Sequence, residues 1–196
     1  MARRDVRTEI MAAAEQIALE HGFAGVTTKE VARVAGCSQG SIYNHFEDRT
    51  DLLAQVVANR MLSVTAELTS SGLGTADGGM TLHDLVHAVA CAYEQLIALS
   101  TSLVADPEVR LRFHAVLEDR GTAPDSISDA VTVLITAGQR AELIRADVDA
   151  EMVALLVTGP CHQAALHAHV SALPLGLPRD LEAKLAHTLE TLLRPS

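Results

Sequence analysis

Apolar residues recur every three or four positions along most of the 196-residue chain, which is the period of an amphipathic α-helix. The first such helix carries Ile10, Ala14 and Ile17 on one face and ends at Gly22. The later part of the chain predicts helices over residues 51–70, 81–99, 107–119, 126–143, 149–170 and 178–193. With two short helices between residues 27 and 46, the pattern predicts an all-α protein of about nine helices.

Local signals separate these helices. Asp48 is suited to cap the helix over residues 51–70, and Pro107 suits a first-turn position. The run 70–79 contains glycine and serine, which predicts a mobile loop. Pro160 lacks a backbone N–H, so we expect it to kink the helix over 149–170 or to interrupt its hydrogen bonds.

The two short helices are marked by their start and stop residues. Thr27 and Glu30 stand three apart and predict a capping box, in which hydroxyl and carboxylate satisfy each other's backbone donors. Gly36 can take the left-handed conformation that ends a helix, and Ser38 can cap the next one. A turn of three or four residues is typical of a helix-turn-helix.

The side chains of this segment divide into an inward and an outward set. Val31, Ala32, Ala35, Ile42 and Phe46 form the apolar side, and Cys37 is apolar enough to pack inward. The candidate DNA-contacting residues are Thr27, Thr28, Lys29, Arg33, Ser38, Gln39, Gly40, Ser41, Tyr43, Asn44, His45 and Arg49. Amide groups read base edges, hydroxyl and imidazole groups suit phosphate oxygens, and a glycine allows close approach. On spacing alone, a helical hairpin with a solvated polar face stays open.

Residues 7–55 resemble the N-terminal domain of the TetR family of transcriptional regulators. The resemblance rests on Thr27-Thr28 with Val31-Ala32, on residues 35–38 and 40–46, and on Asp51-Leu52-Leu53, with Phe23 as the aromatic residue that such domains bury. It implies a DNA-binding domain over residues 1–50 and a helical effector-binding and dimerisation domain over 51–196. The chain departs from the family at Arg49, where lysine is usual, and at Asn44, where an aromatic or basic residue is frequent; Asn44 leaves the operator sequence open.

The distribution of charge bears on DNA binding. The chain has a net charge of −10, of which residues 1–60 carry −1 (seven basic against eight acidic groups) and the remainder −9. Arg3, Arg4 and Arg7 form a short basic arm, for which a DNA contact and a solvated tail both stay open. Because phosphate neutralisation supplies much of the affinity, so few basic groups favour binding as a dimer.

Other classes of protein find little support in the sequence. The apolar residues, 48% of the chain, are largely Ala, Leu and Val. Neither a signal-peptide pattern nor an uninterrupted apolar stretch of about 18 residues is present, which predicts a cytoplasmic protein. GxSxG, P-loop and dinucleotide glycine patterns are missing, so we expect no enzyme and no cofactor.

Cysteines and histidines do not complete a metal motif. Cys37, Cys91 and Cys161 stand singly, without CxxC pairs. His83 and His87 stand four apart and Cys161 adjoins His162, but these spacings alone do not make a site, so no metal is expected.

The later helices are candidates for a ligand pocket and for dimerisation. His87, Tyr93, Phe113, Met152 and His162 are the candidate effector-pocket residues, with core packing as the alternative for each. The helix 149–170 combines apolar with small residues, namely Met152, Leu155, Leu156, Gly159, Ala164, Ala165 and Ala168. Residues 138–149 resemble the segment before the penultimate helix of TetR regulators, which implies a four-helix dimer interface. The alternative is a core helix of one subunit.

Together these features predict a homodimeric, ligand-responsive transcriptional repressor that binds a palindromic operator. The resemblance implies that residues 38–45 enter the major groove, and that a small-molecule effector bound beyond residue 80 moves the 51–70 helix and releases the DNA. An activator role stays open. The alternative is a helical ligand-binding or protein-interaction module without operator binding.

Overall fold

A computed structural model describes residues 5–70, 72–74, 79–121, 126–170 and 180–195. Over these residues the chain forms nine α-helices and no named strand, as predicted. The helices are α1 Val6–Gly25, α2 Thr28–Ala35, α3 Gln39–Tyr43, α4 Arg49–Thr69, α5 Leu82–Ala105, α6 Pro107–Arg120, α7 Ser126–Arg140, α8 Ala150–Val170 and α9 Leu181–Leu193.

The start and stop signals around α2 and α3 are confirmed with one correction. Thr27 Oγ1 accepts the Glu30 N–H at 3.2 Å, and Ser38 Oγ accepts the Ser41 N–H at 3.1 Å. Gly36 ends α2 in the left-handed conformation, with φ 63° and ψ 38°. The reciprocal half of the capping box is wrong, because the Glu30 carboxylate accepts from the Arg33 guanidinium, at 2.6 Å, instead of from Thr27.

Gly22 bends α1 without ending it. The residue lies inside the helix with φ 65° and ψ −178°, and helical structure resumes as far as Gly25. The prediction that α1 ends at Gly22 is therefore wrong by one short turn. The carbonyls of Phe23 and Val26 that follow the bend accept hydrogen bonds from the Arg49 guanidinium.

The ends of the later helices agree with the predictions in part. The Asp48 cap of α4 is confirmed, since Asp48 Oδ1 accepts the Asp51 N–H at 2.8 Å. α5 continues to Ala105 instead of about residue 99. α8 runs through Pro160, with helix on both sides. Within the expected loop, Gly72 and Gly74 form backbone hydrogen bonds with Met80, at 3.0 and 3.2 Å. Residues 71 and 75–78 of this loop lie outside the described residues, as does Pro178 at the expected start of the last helix.

The chain divides into two compact units. The first comprises Met1–Met61 and Ala98–Pro124, and the second Leu62–Ile97 and Asp125–Ser196. This division differs from the expected boundary at residue 50, because the core of the helix-turn-helix also includes the first half of α4 and Val109, Phe113 and Leu117 of α6. The core of the second unit gathers buried residues of α4, α5, α7, α8 and α9.

α5 is long and apolar enough to cross a membrane by length and composition alone, with a mean hydropathy of 1.4 over its most apolar window. The helix is not an uninterrupted apolar stretch, because Asp84 and Glu94 lie within it. Leu85, Val86 and Val89 of this helix are fully buried in the core of the second unit. One helix of this kind is weak evidence for a membrane span, because core helices pass the same test.

The backbone at Gly22 and Gly36 generates a stability prediction. Gly22→Ala should destabilise the protein by about 1–3 kcal/mol, because its combination of φ and ψ is reached almost only by glycine. Gly36→Ala should cost about 1–2 kcal/mol for its left-handed conformation. The measurement is urea unfolding followed by helical circular dichroism.

Gly72 supplies the matched control. It is exposed, no heavy atom beyond its chain neighbours lies within 4 Å of the position of an added Cβ, and its φ is not positive. Gly72→Ala should leave stability unchanged or raise it by up to about 1 kcal/mol. Equal destabilisation by all three substitutions would contradict the conformational explanation.

Candidate nucleic-acid interface

α3 presents a polar face on an apolar base. Ile42 and Phe46 are buried, with exposed fractions of 0% and 2%. Gln39, Gly40 and Tyr43 are exposed on the other side of the helix. Because α3 is short and anchored at both ends of its buried side, its outer face is held in a fixed register.

Side-chain contacts orient part of this face. The Thr28 hydroxyl donates to Gln39 Oε1 at 3.4 Å, so the side-chain oxygen of Gln39 is held and its NH₂ group is left to donate elsewhere. Ser38 and Ser41 share a hydrogen bond of 2.9 Å between their hydroxyl oxygens. The sequence predicts that these residues belong to the site, but no sequence pattern indicates the Thr28–Gln39 contact, which joins α2 to α3.

The structure places most of the predicted DNA-contacting residues at the surface of the first unit. The exposed ones are Thr27, Lys29, Arg33, Ser38, Gln39, Gly40, Tyr43, Asn44 and His45, whereas Thr28, Ser41 and Arg49 are half-buried. Two of the basic groups already have partners, since Arg33 pairs with Glu30 and Arg49 binds backbone carbonyls of the first unit. Lys29 is thus the exposed cation at the start of α2, and DNA contact by any of these residues stays a prediction.

The expected basic arm is only partly described. Arg7 lies inside α1, where its guanidinium stacks 5.2 Å from the centre of the Phe46 ring and donates to Gln55 Oε1. We call residues 27–46, which form the helix-turn-helix, the reader. Arg7 is fixed against Phe46 at the buried side of the reader instead of extending from it. Arg3 and Arg4 lie outside the described residues.

A buried carboxylate holds the segment that follows α3. Asp51 is 4% exposed and accepts four hydrogen bonds, from the Glu47 N–H at 3.2 Å, from Gln55 Nε2 at 3.0 Å, and from Arg112 Nε and Nη2 at 3.1 and 2.9 Å. Arg112 Nη2 also lies 2.9 Å from a carboxylate oxygen of Glu47. The network ties α6 to the start of α4 within the first unit.

The protonation of Asp51 follows from this environment. Burial alone would raise the pKa of Asp51, but the hydrogen bonds from Gln55, from the Glu47 N–H and from Arg112 favour the charged form and bring the pKa below its ordinary value. Asp51 belongs to the residues that carry the family resemblance, whereas Arg112 does not. No local pattern could have identified Arg112, since 61 residues separate the two.

The candidate effector residues do not form one group. Tyr93 and His162 meet in the second unit, edge to face, with ring centres 5.1 Å apart. His87 is exposed and pairs with Glu182, and Met152 is 54% exposed. Phe113 is buried in the core of the first unit. The effector pocket therefore stays a prediction, and the Tyr93–His162 contact is the part of it that the fold brings together.

The Asp51 network generates a prediction about pH. The lowered pKa means that the carboxylate stabilises the fold fully above its unfolded-state pKa of about 3.9, and that this contribution is lost as the pH falls through the lower folded-state value. Asp51→Asn should therefore destabilise the protein more at pH 7 than at pH 3. The measurement is the free energy of unfolding of wild type and Asp51→Asn at both pH values. Asp129→Asn is the control, because Asp129 is an exposed acid in the first turn of α7. An equal loss of stability in Asp51→Asn at both pH values would contradict the charge assigned to Asp51.

Comparison with known proteins agrees with this geometry. Residues 10–56 match the model of the bacterial regulatory proteins of the tetR family. The transcriptional repressor KstR2 of Rhodococcus jostii is 28% identical over 153 residues, which cover 74% of this chain and 71% of that protein. The repressor AcnR of Corynebacterium efficiens is 25% identical over 192 residues, covering 96% of this chain and 92% of that protein. The solved structure of the regulator FadR from Bacillus subtilis in complex with stearoyl-CoA is 18% identical and superimposes with a TM-score of 0.60, over 95% of this chain and 97% of that chain. The chain is therefore similar to bacterial regulatory proteins of the tetR family, with the family model matched over residues 10–56.

Proposed function

We propose that this protein is a transcriptional repressor that binds a palindromic operator as a homodimer and is released from it by a small-molecule effector. The observation that carries the proposal is the exposed polar face of α3 on its buried apolar base, with Gln39, Tyr43 and Asn44 at the surface. A face of this kind suits the major groove, where each base pair presents a distinct set of donors and acceptors. The family match and the repressors among the relatives support the same function.

The proposed contacts divide into two classes. Gln39 and Asn44 carry amide groups and are assigned to base edges, where one well-placed bidentate contact contributes about 1–3 kcal/mol of discrimination. Lys29, Ser38, Tyr43 and the imidazole of His45 are assigned to phosphate oxygens, which fix register without reading sequence. The Thr28 hydroxyl supports this assignment for Gln39, because it occupies the side-chain oxygen and leaves the NH₂ group for an acceptor such as a purine N7.

The small number of basic groups near the reader favours DNA binding by two copies of the protein. Residues 1–60 carry a net charge of −1, counted from the sequence as seven basic and eight acidic groups, and two of the arginines at the interface are held by protein partners. Non-specific attraction to one reader is therefore weak. A two-fold dimer places two recognition helices about 34–36 Å apart on one face of the duplex and adds their contacts.

α8 is the proposed dimer surface. Met152, Leu155 and Leu156 are 54%, 57% and 51% exposed, and Gly159 follows them at the surface. Their spacing of three and four residues puts them on one stripe of the helix. Leu192 of α9 is 53% exposed as well. Large apolar side chains exposed side by side are typical of a surface that another protein covers.

The effector is proposed to bind in the second unit. The FadR structure contains stearoyl-CoA, so a protein of this fold has been observed with a bound small molecule. In this chain, a cavity of about 280 Å³ has mainly apolar walls, including Leu73, Leu82, Leu143 and Ile144, close in size to ligand pockets. Release requires the effector to bind the state without DNA more tightly, and DNA must then weaken effector binding by the same factor.

A change in the second unit has a covalent path to the reader. α4 is one helix from Arg49 to Thr69, and its residues belong to both units. We propose that effector binding moves this helix. As a DNA-binding regulator the protein is assigned to the cytoplasm, and no catalytic function is part of the proposal.

The assignment of the reading face predicts the effect of three substitutions on DNA binding. Asn44→Ala should lower affinity for the preferred duplex by about 5–150-fold, the equivalent of about 1–3 kcal/mol. Tyr43→Ala should lower affinity as well. Lys29→Ala should weaken binding to all sequences and reduce the slope of log affinity against log salt by about 0.9. The measurement is fluorescence anisotropy with labelled duplexes at several salt concentrations.

Gln16→Ala is the matched control for the loss of an amide. Gln16 is exposed on α1, where it bonds to Glu20 one turn away. Its substitution should leave DNA affinity unchanged. If affinity survives both Tyr43→Ala and Asn44→Ala in folded protein, the face assigned to DNA is wrong.

The dimer surface generates a second prediction. Leu155→Asp should convert the protein to a monomer and reduce operator affinity at least tenfold, because a carboxylate would have to be buried in an apolar contact. Light scattering gives the mass and anisotropy the affinity. Leu111→Asp, at a 75% exposed leucine of α6, should change neither; a dimer that persists in Leu155→Asp would exclude this stripe as the interface.

A further inference from the structure

A thiol, an imidazole and a carboxylate form a chain of contacts in the second unit. Cys91 Sγ lies 3.7 Å from His87 Nε2, one turn apart on α5. The opposite ring nitrogen, His87 Nδ1, lies 2.9 Å from Glu182 Oε2 of α9. The His87 side chain is 65% exposed and Cys91 is half-buried. These three side chains can therefore be reached from solvent, and they belong neither to the reader nor to the proposed dimer surface of α8.

The surroundings of Cys91 do not suit a nucleophile. Burial, with the negative charges of Glu94 and Glu182, raises the pKa of the Cys91 thiol and keeps it protonated near neutral pH. Cys91 also lies inside α5, where the backbone N–H groups bond within the helix and cannot form an oxyanion hole. Covalent catalysis therefore has neither a thiolate nor a stabilising donor pair.

The same geometry suits a cation. Zinc lies about 2.0–2.1 Å from imidazole nitrogen and about 2.3 Å from thiolate sulfur, so two tetrahedral ligands of these types stand roughly 3.5 Å apart. The Sγ–Nε2 distance is 3.7 Å, which is close to this separation. A carboxylate on the far nitrogen of a metal-binding histidine is the usual outer partner, because it fixes the ring and leaves Nε2 to the metal.

We propose that His87 Nε2 and Cys91 Sγ bind a thiophilic divalent cation of the Zn²⁺ type, with Glu182 as the positioning residue of the imidazole. The sequence suggested His83 with His87 as the spaced pair, whereas the fold brings Cys91 to His87. Binding exchanges the thiol proton for the cation. The negative charges of Glu94 and Glu182 act on the thiol and attract the cation in the same way.

The site has open coordination positions. Within the described parts of the chain, no group of three or more His, Cys, Asp or Glu side chains is arranged to hold a metal. Structural zinc sites have four protein ligands, so a site with two protein ligands suits a cation that exchanges. Cys91 also lines a cavity of about 180 Å³ with Glu67, Met80 and Gln95, whereas His87 does not.

Cobalt titration of the metal-free, reduced full-length protein tests the proposal. Co²⁺ is the probe because a thiolate ligand gives it a charge-transfer absorption band, and displacement by Zn²⁺ then gives the affinity for zinc. Wild type should show the band and Cys91→Ser should lose it. His87→Gln should weaken binding at least tenfold. Glu182→Gln should keep the band and weaken binding by about 10–100-fold, as expected for an outer partner.

Matched substitutions separate this site from other cysteines and histidines. Cys37→Ser removes a half-buried thiol of the first unit, and His83→Gln removes an exposed imidazole one turn before His87; both should bind like wild type. Circular dichroism confirms that each variant is folded. Absence of the band in wild type, its persistence in Cys91→Ser, or its loss in His83→Gln would overturn the proposal. DNA is not part of the experiment, so its outcome is independent of the proposed operator binding.

Discussion

The buried carboxylate of Asp51 is the interaction on which the geometry of the reader depends. A charged group removed from water is tolerated only where hydrogen bonds and an opposite charge replace the lost solvation. Asp51 receives them from Glu47, Gln55 and Arg112. These donors come from the turn after α3, from α4 and from α6, so the carboxylate is satisfied only when all three are in place. The turn that follows α3 is thereby tied to α6, which lies far along the chain.

Local signals in the sequence predict most of the helices and their ends. Thr27, Gly36, Ser38 and Asp48 act at helix ends as predicted, because caps and left-handed glycines depend on neighbours within three or four residues. The spacing of four residues between Ile42 and Phe46 predicted the buried side of α3 for the same reason. At Glu30 the prediction failed because a nearby group competes: Glu30 binds Arg33, three residues on, instead of closing its capping box. At Gly22 the helix resumes after the bend, and the carbonyls of Phe23 and Val26 beyond it accept from Arg49, a partner that lies more than 20 positions further along the chain.

The candidate sites also divide into groups of residues close in sequence and pairs of residues far apart in it. The residues predicted to contact DNA lie within one segment, 27–49, and most of them are exposed at positions that follow the helical period, whereas their contact with DNA stays a prediction. Asp51–Arg112 and His87–Glu182 join residues 61 and 95 positions apart, and a single sequence has no signal for such pairs. Phe113 illustrates the converse: an aromatic residue chosen for a ligand pocket is buried in the core that supports the reader. Residue type predicts the chemistry of a group, and only the fold determines which neighbours it has.

The central claim is that α3 reads a two-fold symmetric DNA sequence. It is tested most directly by selecting bound duplexes from a random DNA pool with the purified protein. The account predicts enrichment of a palindromic consensus whose half-sites lie one helical turn, about 10–10.5 base pairs, or a multiple of it apart. Absence of enrichment, in a protein that is folded and dimeric, would contradict it.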